Sequence, residues 1–243
     1  MSAGAPERAG FSALQRPGYR GAVAADWQGA ELDVFLADPD AAMMKGRVLK
    51  DDPSARLVRL SMDGRCVVAK RFRHPDALRD ARRMLRRSRA QGAWRGSLLL
   101  AGLGVAVPPP LLWLERRRGP LCVASWWLAG YVDGREAPEV LRAASGADRA
   151  ALVEALAAIV ARLQRAAVAH GDLKATNVLI AADGRPVLLD LHAARRVRPG
   201  SRALRRDRAR FLRNWRAQPD LLAAFTKALD APRSAQVVSL PGP

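Results

Sequence analysis

Cysteine is scarce in this chain, with two residues, Cys66 and Cys122, in 243. That excludes a disulfide-built scaffold, and with only three histidines it also excludes the Cys/His spacings that hold zinc. Both cysteines lie in apolar, strand-like runs and are expected to be buried thiols in a reducing compartment. Aromatic residues make up 5% of the chain and no recognition motif for nucleic acid occurs, which argues against a nucleic-acid partner. Acidic residues are outnumbered, 23 against 41 basic ones, for a formal charge of +18, so some anionic partner is expected. Lysine is scarce as well: Lys45, Lys50, Lys70, Lys174 and Lys227 are the only ones, and the rest of the positive charge is arginine. No hydrophobic core follows Glu7 and Arg8, so no secretion signal is expected. The longest uncharged stretch, residues 96–114, contains Gly102, Gly104 and prolines 108–110. It reads as the end of a helix, a loop and a buried strand, because those residues would break a lipid-exposed helix.

Hydrophobic residues make up 49% of the chain, enough for a real core in one medium domain or two small lobes. Residues 1–44 show no strong period and read as an appended segment with one short helix. From Gly46 onward the pattern sharpens. Residues 56–62, the dipeptide Asp63-Gly64 and residues 65–72 read as strand, two-residue turn and strand. Pro75 and Asp76 open a helix with Leu78, Ala81 and Leu85 on one face and a basic stripe of Arg79, Arg82, Arg83 and Arg86. A buried strand over 121–128 runs into a short connector at 129–134. Beyond it helices take over. Ser145 and Asp148 suggest a capping box for a helix running to about Ala167, with Leu152, Leu156, Ile159 and Leu163 as its buried stripe. A strand at 177–180, a turn at Asp183-Gly184 and a strand at 187–191 follow, then helices over 204–215 and 220–229.

The chemistry is concentrated in His170, Gly171, Asp172, Leu173, Lys174, Ala175, Thr176 and Asn177, with Asp190 after a hairpin. Phosphoryl transfer needs a carboxylate at the acceptor hydroxyl, a cation on the transferring phosphate and oxygen ligands for magnesium. This stretch holds all three kinds of group within twenty-odd residues. It resembles the catalytic and metal-binding loops of the protein-kinase-like fold. The resemblance implies that Asp172 orients the hydroxyl and accepts its proton, that Lys174 offsets charge on the phosphoryl group, and that Asn177 and Asp190 hold Mg2+. Lys70, in an apolar strand about a hundred residues upstream, is placed like the lysine that contacts the ATP phosphates in that fold.

Within that fold the chain resembles the lipopolysaccharide core kinases, the Kdo/WaaP-like family, over about residues 46–216. The pieces that carry the resemblance are residues 48–52 before the first hairpin, Trp94 after the basic helix, Gly104 with the prolines that follow, the loop 170–180, and Asp190, Leu191 and His192 in place of an Asp-Phe-Gly triplet. An arginine-rich helix containing Asp207 comes next. The fold implied is α+β and two-lobed, with a small β-rich N-lobe and a reduced, mainly helical C-lobe. Its divisions are an N-terminal extension (1–44), N-lobe (45–130), C-lobe (131–230) and tail (231–243). The implied activity is ATP-dependent phosphorylation of a sugar hydroxyl, Kdo or heptose, on lipopolysaccharide core. The implied location is the cytoplasm, peripheral to the inner face of the inner membrane, with an anionic membrane surface as a further contact. Ten arginines against one acid between Arg195 and Arg216 suit an anionic glycolipid.

The chain departs from these patterns in places. Residues 51–55 lack the glycine pattern that covers ATP phosphates in protein kinases. Gly171 replaces the arginine that reads a phosphorylated activation loop, so no such switch is expected. Ala93 stands where the family typically has the glutamate that pairs with the strand lysine. Asp80, Glu31 and Asp33 are the candidate substitutes; without one, Ala93→Glu is expected to raise activity if Ala93 faces Lys70. Asp207 is either a buttress of the catalytic loop, as the resemblance implies, or a surface ion-pair partner. His170 and His192 are read as loop-ordering residues. The competing functions are a serine/threonine protein kinase, with only 53 residues after Asp190 to build a peptide platform, and a non-catalytic pseudokinase.

Overall fold

The computed structural model describes residues 10–73 and 87–231. The helix expected from Pro75, with Asp76 and Asp80, lies outside those residues, as does the tail beyond 231. The described chain is α+β, as expected, with a β-rich N-terminal half and a helical C-terminal half.

Seven strands form one antiparallel sheet: β1 (Phe11–Arg16), β2 (Tyr19–Ala24), β3 (Arg47–Asp52), β4 (Ala55–Met62), β5 (Arg65–Phe72), β6 (Pro110–Arg118) and β7 (Leu121–Gly130). Their spatial order is β1-β2-β6-β7-β5-β4-β3. The β4–β5 hairpin forms in the expected register, Met62 facing Arg65. Asp63 (φ 49°) and Gly64 (φ 73°) supply the two left-handed residues that a two-residue turn of this twist demands.

The N-terminal segment is not appended. Residues 11–24 fold into the β1–β2 hairpin, and β2 pairs with β6 inside the sheet. Helices α1 (Ala30–Ala37) and α2 (Pro39–Met44) then pack on the sheet with Phe35 and Met43 buried. The anchor is the hairpin turn. The Asp63 carboxylate accepts the N–H groups of Glu31 and Leu32 at 3.1 Å each and the indole N–H of Trp27 at 3.2 Å, so a residue 33 positions beyond the start of α1 caps it. Gly29 is required there, because a Cβ would fall 2.1 Å from the Asp63 carboxylate carbon. No periodicity within 1–44 encodes a cap donated by residue 63.

Helix α3 (Arg89–Ala101) begins at Ser88, whose hydroxyl accepts the Gln91 N–H at 3.1 Å. It covers one face of the sheet, where Phe72, Ala93, Trp94, Trp113 and Trp127 form a compact cluster. The second half contains α4 (Ala137–Ala143), α5 (Gly146–Arg165), α6 (Arg202–Arg213) and α7 (Pro219–Asp230). It also contains a small sheet of β8 (Gly134–Glu136), β10 (Val178–Ala181) and β11 (Pro186–Leu188), and the pair β9 (Val168–Ala169) with β12 (Arg195–Arg196). Its core joins Leu156, Val160 and Leu163 of α5 to Phe211 and Trp215 near the end of α6 and Phe225 of α7. Trp215 stacks on Phe225 with ring centroids 4.8 Å apart.

Three local readings need correction. Ser145 precedes α5 but makes no side-chain capping bond, so the expected capping box does not form. The buried stripe of that helix is also shifted toward Val153, Ala157 and Val160, with Leu152 and Ile159 only partly covered. Cys66 is exposed on β5, where its sulfur receives the Arg59 Nε–H at 3.0 Å, whereas Cys122 is buried; both are free thiols. Alternation along β5 decides the first of these, since it places Val67 and Ala69 in the core and Cys66 outside. Among the described residues no helix is long and apolar enough to cross a membrane.

Candidate active site

Between the two halves lies a cavity of about 380 Å³. Its apolar walls come from Leu49, Leu57, Val68, Trp127, Leu179 and Leu189, and its polar lining from Lys50, Lys70, Glu136, Thr176, Asn177 and Asp190. This is the composition of a small-molecule site: mostly apolar, with a few polar groups. Lys70 sits on β5 opposite Trp127 of β7, and its Nζ donates to Asp190 Oδ1 at 2.8 Å across 120 residues of sequence.

Asp190 is held in the left-handed region, φ 57° and ψ 52°, uncommon for a non-glycine residue and concentrated at functional sites. The N–H of His192 Nδ1 donates to the same Oδ1 at 2.9 Å. Burial works to raise the Asp190 carboxyl, but the His192 bond and the Lys70 charge outweigh it and hold the group well below the usual carboxylate range, hence ionised.

The loop 170–177 is fixed by side chains that converge on it from two directions. His170 is fully buried, donating from Nε2 to Leu189 O at 2.9 Å and accepting the Asp172 N–H at Nδ1, 3.3 Å away. Burial lowers its pKa, so the neutral ring that these two bonds require is the favoured form. Gly171 adopts φ 89°, and a Cβ there would lie 2.7 Å from the Cβ of Ala193, so neither backbone nor space admits a larger residue without strain. The Gly171 N–H is received by both oxygens of Asp207, at 3.0 and 3.2 Å. Asp207 is buried, which decides in favour of a buttress rather than a surface pair.

One turn further along α6, Arg210 Nη1 donates to Gly171 O and to Asp172 Oδ1, each at 2.8 Å. Lys174 Nζ lies 2.8 Å from Asp172 Oδ2. The Asn177 amide nitrogen donates to the Asp172 carbonyl at 2.8 Å. The expected residues Lys70, Asn177 and Asp190 thus share one cavity, and Asp172 with Lys174 is tied to it through Asn177. Arg210 was not anticipated. Its signal in the sequence is its spacing of three from Asp207, which puts both on one helix face, but it is hidden in a run of arginines.

The donor set suits magnesium. Asp190 engages Oδ1 with Lys70 and His192, and Asn177 engages its nitrogen with Asp172; among the described residues this leaves Asp190 Oδ2 and Asn177 Oδ1 for a hard cation. No cluster of three or more His, Cys, Asp or Glu forms a metal cage among the described residues.

Helix α3 supplies no carboxylate to Lys70. Ala93 is buried among Phe72, Trp94, Trp113 and Trp127. Of the candidate substitutes, Glu31 bonds to the Asp63 N–H and Asp33 pairs with Arg16, while Asp80 lies outside the described residues. Instead, α3 is held by contact with the segment after Asp190. A Cβ on Gly92 would fall 2.5 Å from His192 O, and one on Gly96 would fall 2.2 Å from Leu191 O. The start of α3 is further tied down by Glu115, fully buried on β6, which accepts the Ser88 N–H and pairs with Arg20 and Arg117. Burial opposes ionisation of Glu115, but these donors prevail and keep its pKa low.

Comparison with known proteins was made on sequence and on structure. The model of the lipopolysaccharide kinase (Kdo/WaaP) family matches residues 70–229, more than half of the chain and the whole of the polar constellation just described. No curated protein matches significantly. Among solved structures, WaaP in complex with acyl carrier protein superposes with a TM-score of 0.58 at 23% identity, covering 79% of this chain and 82% of that one. That likeness is one of fold.

Proposed function

The chain belongs to the lipopolysaccharide kinase (Kdo/WaaP) family, and on that premise we propose that it is an ATP- and Mg2+-dependent phosphotransferase whose acceptor is a sugar hydroxyl, Kdo or heptose, of lipopolysaccharide core. The observation that carries this reading is the convergence of Lys70, Asn177 and Asp190 in the lining of one largely apolar cavity, with Asp172 bonded to Asn177.

In this reading the aliphatic walls take the purine and Lys70 takes the phosphates. Magnesium held by Asn177 and Asp190 would neutralise charge on the phosphate oxygens and align them. Asp172 orients the acceptor hydroxyl and takes its proton as the oxygen bonds to the γ-phosphorus. The bond from that phosphorus to the β–γ bridging oxygen breaks, and ADP leaves. Lys174 moves from Asp172 to the transferring group. Arg210 keeps Asp172 in place on its other oxygen, so the carboxylate does not swing when Lys174 departs. The work is placed in the cytoplasm, against the inner face of the membrane, where the lipid-linked acceptor is built.

The test is radiolabel transfer from [γ-32P]ATP with magnesium to a panel of core glycolipids and proteins. Label on glycolipid supports the proposal, and label on protein alone supports the protein-kinase alternative. Ala93 favours a second reading, a nucleotide-binding pseudokinase. Binding of nucleotide with no transfer to any acceptor would establish that one.

A further inference from the structure

Lys50 lines the nucleotide cavity together with Lys70, Asn177 and Asp190, yet has no part in the transfer proposed above. Lysine accounts for only five of the 41 basic residues, and two of the five line this one space. Strand pairing explains how they come together. Lys50 of β3 stands opposite Leu57 of β4, Leu57 opposite Lys70 of β5, and Lys70 opposite Trp127 of β7. Residues directly opposite one another project from the same face of a sheet. These four therefore form one row across four strands, and all four line the cavity.

A bulge in β3 makes this row possible. Val48 pairs with Val58 and Lys50 with Leu57, so Leu49 is an extra residue with no partner of its own on β4. Side chains alternate along a strand, and without that insertion Lys50 would oppose Arg56 and point to the other face. Bulges beside active sites re-aim side chains in this way. The turn that follows engages its own donors. Asp52 Oδ1 accepts the N–H groups of Ser54 and Ala55 at 2.7 and 2.9 Å and the Ser54 hydroxyl at 2.7 Å. Arg73 holds the turn through Asp51 at 2.6 Å and Asp52 O at 2.7 Å. The N–H groups of Ser54 and Ala55 thus serve the turn itself and are not aimed at a phosphate. Asp52 Oδ2 meets Lys50 Nζ at 2.9 Å, and the lysine side chain is still 67% exposed. An ammonium has three donors, of which Asp52 takes one. The Asp52 bond raises the Lys50 pKa against some desolvation, and the fields of Asp190 and Glu136 add to it, so the group is a cation.

We propose that Lys50 is a second phosphate ligand of the bound nucleotide, positioned by Asp52, and that it takes the place of the glycine-loop N–H groups that residues 51–55 do not offer. The inference rests on the kinase reading above and deepens it. Neighbouring strands lie about 4.8 Å apart, so the backbones of Lys50 and Lys70 stand about 10 Å apart on either side of Leu57. Two long cationic side chains reaching into one cavity from there repel each other until a polyanion lies between them, and a chain of phosphates is such a polyanion.

Two measurements on the full chain test this. The first titrates adenosine, Mg–ADP and Mg–ATP calorimetrically into wild type, Lys50→Gln and Lys50→Arg. Lys50→Gln is expected to weaken Mg–ADP and Mg–ATP by about tenfold or more and to leave adenosine unchanged, with Lys50→Arg restoring most of the loss. Equal nucleotide affinity in wild type and the glutamine variant overturns the inference and leaves the kinase reading standing. An equal loss for adenosine would reassign Lys50 to the wall of the base site and overturn it as well. The second measurement needs no variant: mass spectrometry follows the rate at which an acetylating reagent modifies each lysine. Mg–ATP should slow modification of Lys50 several-fold while adenosine does not, with the exposed Lys45 as the unaffected reference. Modification of Lys50 at the same rate with and without Mg–ATP overturns the inference. If the wild type binds no nucleotide, the kinase reading fails and this inference fails with it.

Discussion

The loop 170–177 and helix α3 both lie beside the candidate site, yet they are held by different forces. Around residues 170–177 nearly every polar group has a directed partner: His170 to Leu189, Gly171 to Asp207 and Arg210, Asp172 to Arg210, Lys174 and Asn177. Helix α3 instead meets the segment after Asp190 through two glycines whose missing side chains let backbones touch. Hydrogen bonds fix angles as well as distances, which is what the proposed base and metal ligands need. A helix that contributes no reacting group needs only close packing. Lys70 is held by Asp190 and α3 by a glycine-lined contact, so among the described residues no helix carboxylate positions the strand lysine.

The comparison can be broken most severely at the carboxylates. Asp190→Ala removes the partner of both Lys70 and His192 along with a proposed metal ligand, and is expected to abolish magnesium-dependent nucleotide binding in a calorimetric titration. Asp172→Ala should leave that binding in place while lowering transfer by about a thousandfold, the scale of a lost general base with its positioning. Wild-type transfer by Asp172→Ala would show the assignment to be wrong.

Asp207→Ala tests the loop from behind. It orphans the Gly171 N–H, a loss of about 1–3 kcal/mol for a buried donor, and lets the loop relax. Denaturation midpoints should fall and kcat should drop more than KM rises. Equal activity with reduced stability would confine Asp207 to a structural role.

The packing side is tested by Gly96→Ala, whose methyl would have to displace Leu191 O. Overpacking of this kind costs about 1–3 kcal/mol, and the shift should propagate to Asp190 next door as weaker nucleotide binding. Ala93→Glu sharpens the same point. The sequence by itself suggested that a glutamate there would help Lys70, but the surrounding Phe72, Trp94, Trp113 and Trp127 leave the carboxylate in an apolar cluster. The expected outcome is a lower Tm and reduced transfer. Increased transfer would mean that Lys70 lacks a partner which Asp190 does not replace.

The smallest effect is in pH. His170 is buried with a lowered pKa, so the unfolded chain binds a proton that the native state refuses. Its contribution to stability is complete above the unfolded pKa of about 6.5 and falls by about 1.4 kcal/mol per pH unit below it, until the native pKa is reached. Asp190, also lowered, adds a loss only below about pH 4, where unfolded carboxylates begin to protonate. Thermal scans at pH 7.5 and 5.5 should therefore show a decline that His170→Asn reduces.

What could be read from the chain alone was whatever lies within a short span. The turn Asp63-Gly64 needs two left-handed residues in a row, and the hairpin follows from that. The loop from His170 to Asn177 carries its chemistry in eight consecutive positions, so spacing alone identifies it. What tertiary structure decided are relations between distant residues, which no local pattern encodes. Arg210 reaches Asp172 across 38 residues, Asp63 caps a helix that begins 33 residues earlier, and Lys70 finds Asp190 across 120. In each case the bond exists because packed apolar faces bring two segments to within 3.2 Å, and that approach depends on the whole core. The same holds for the arginines. Their number set the charge of the chain, but only the meeting of α3 and its lead-in with β12 brought Arg87, Arg89, Arg95, Arg195 and Arg196 around one concavity.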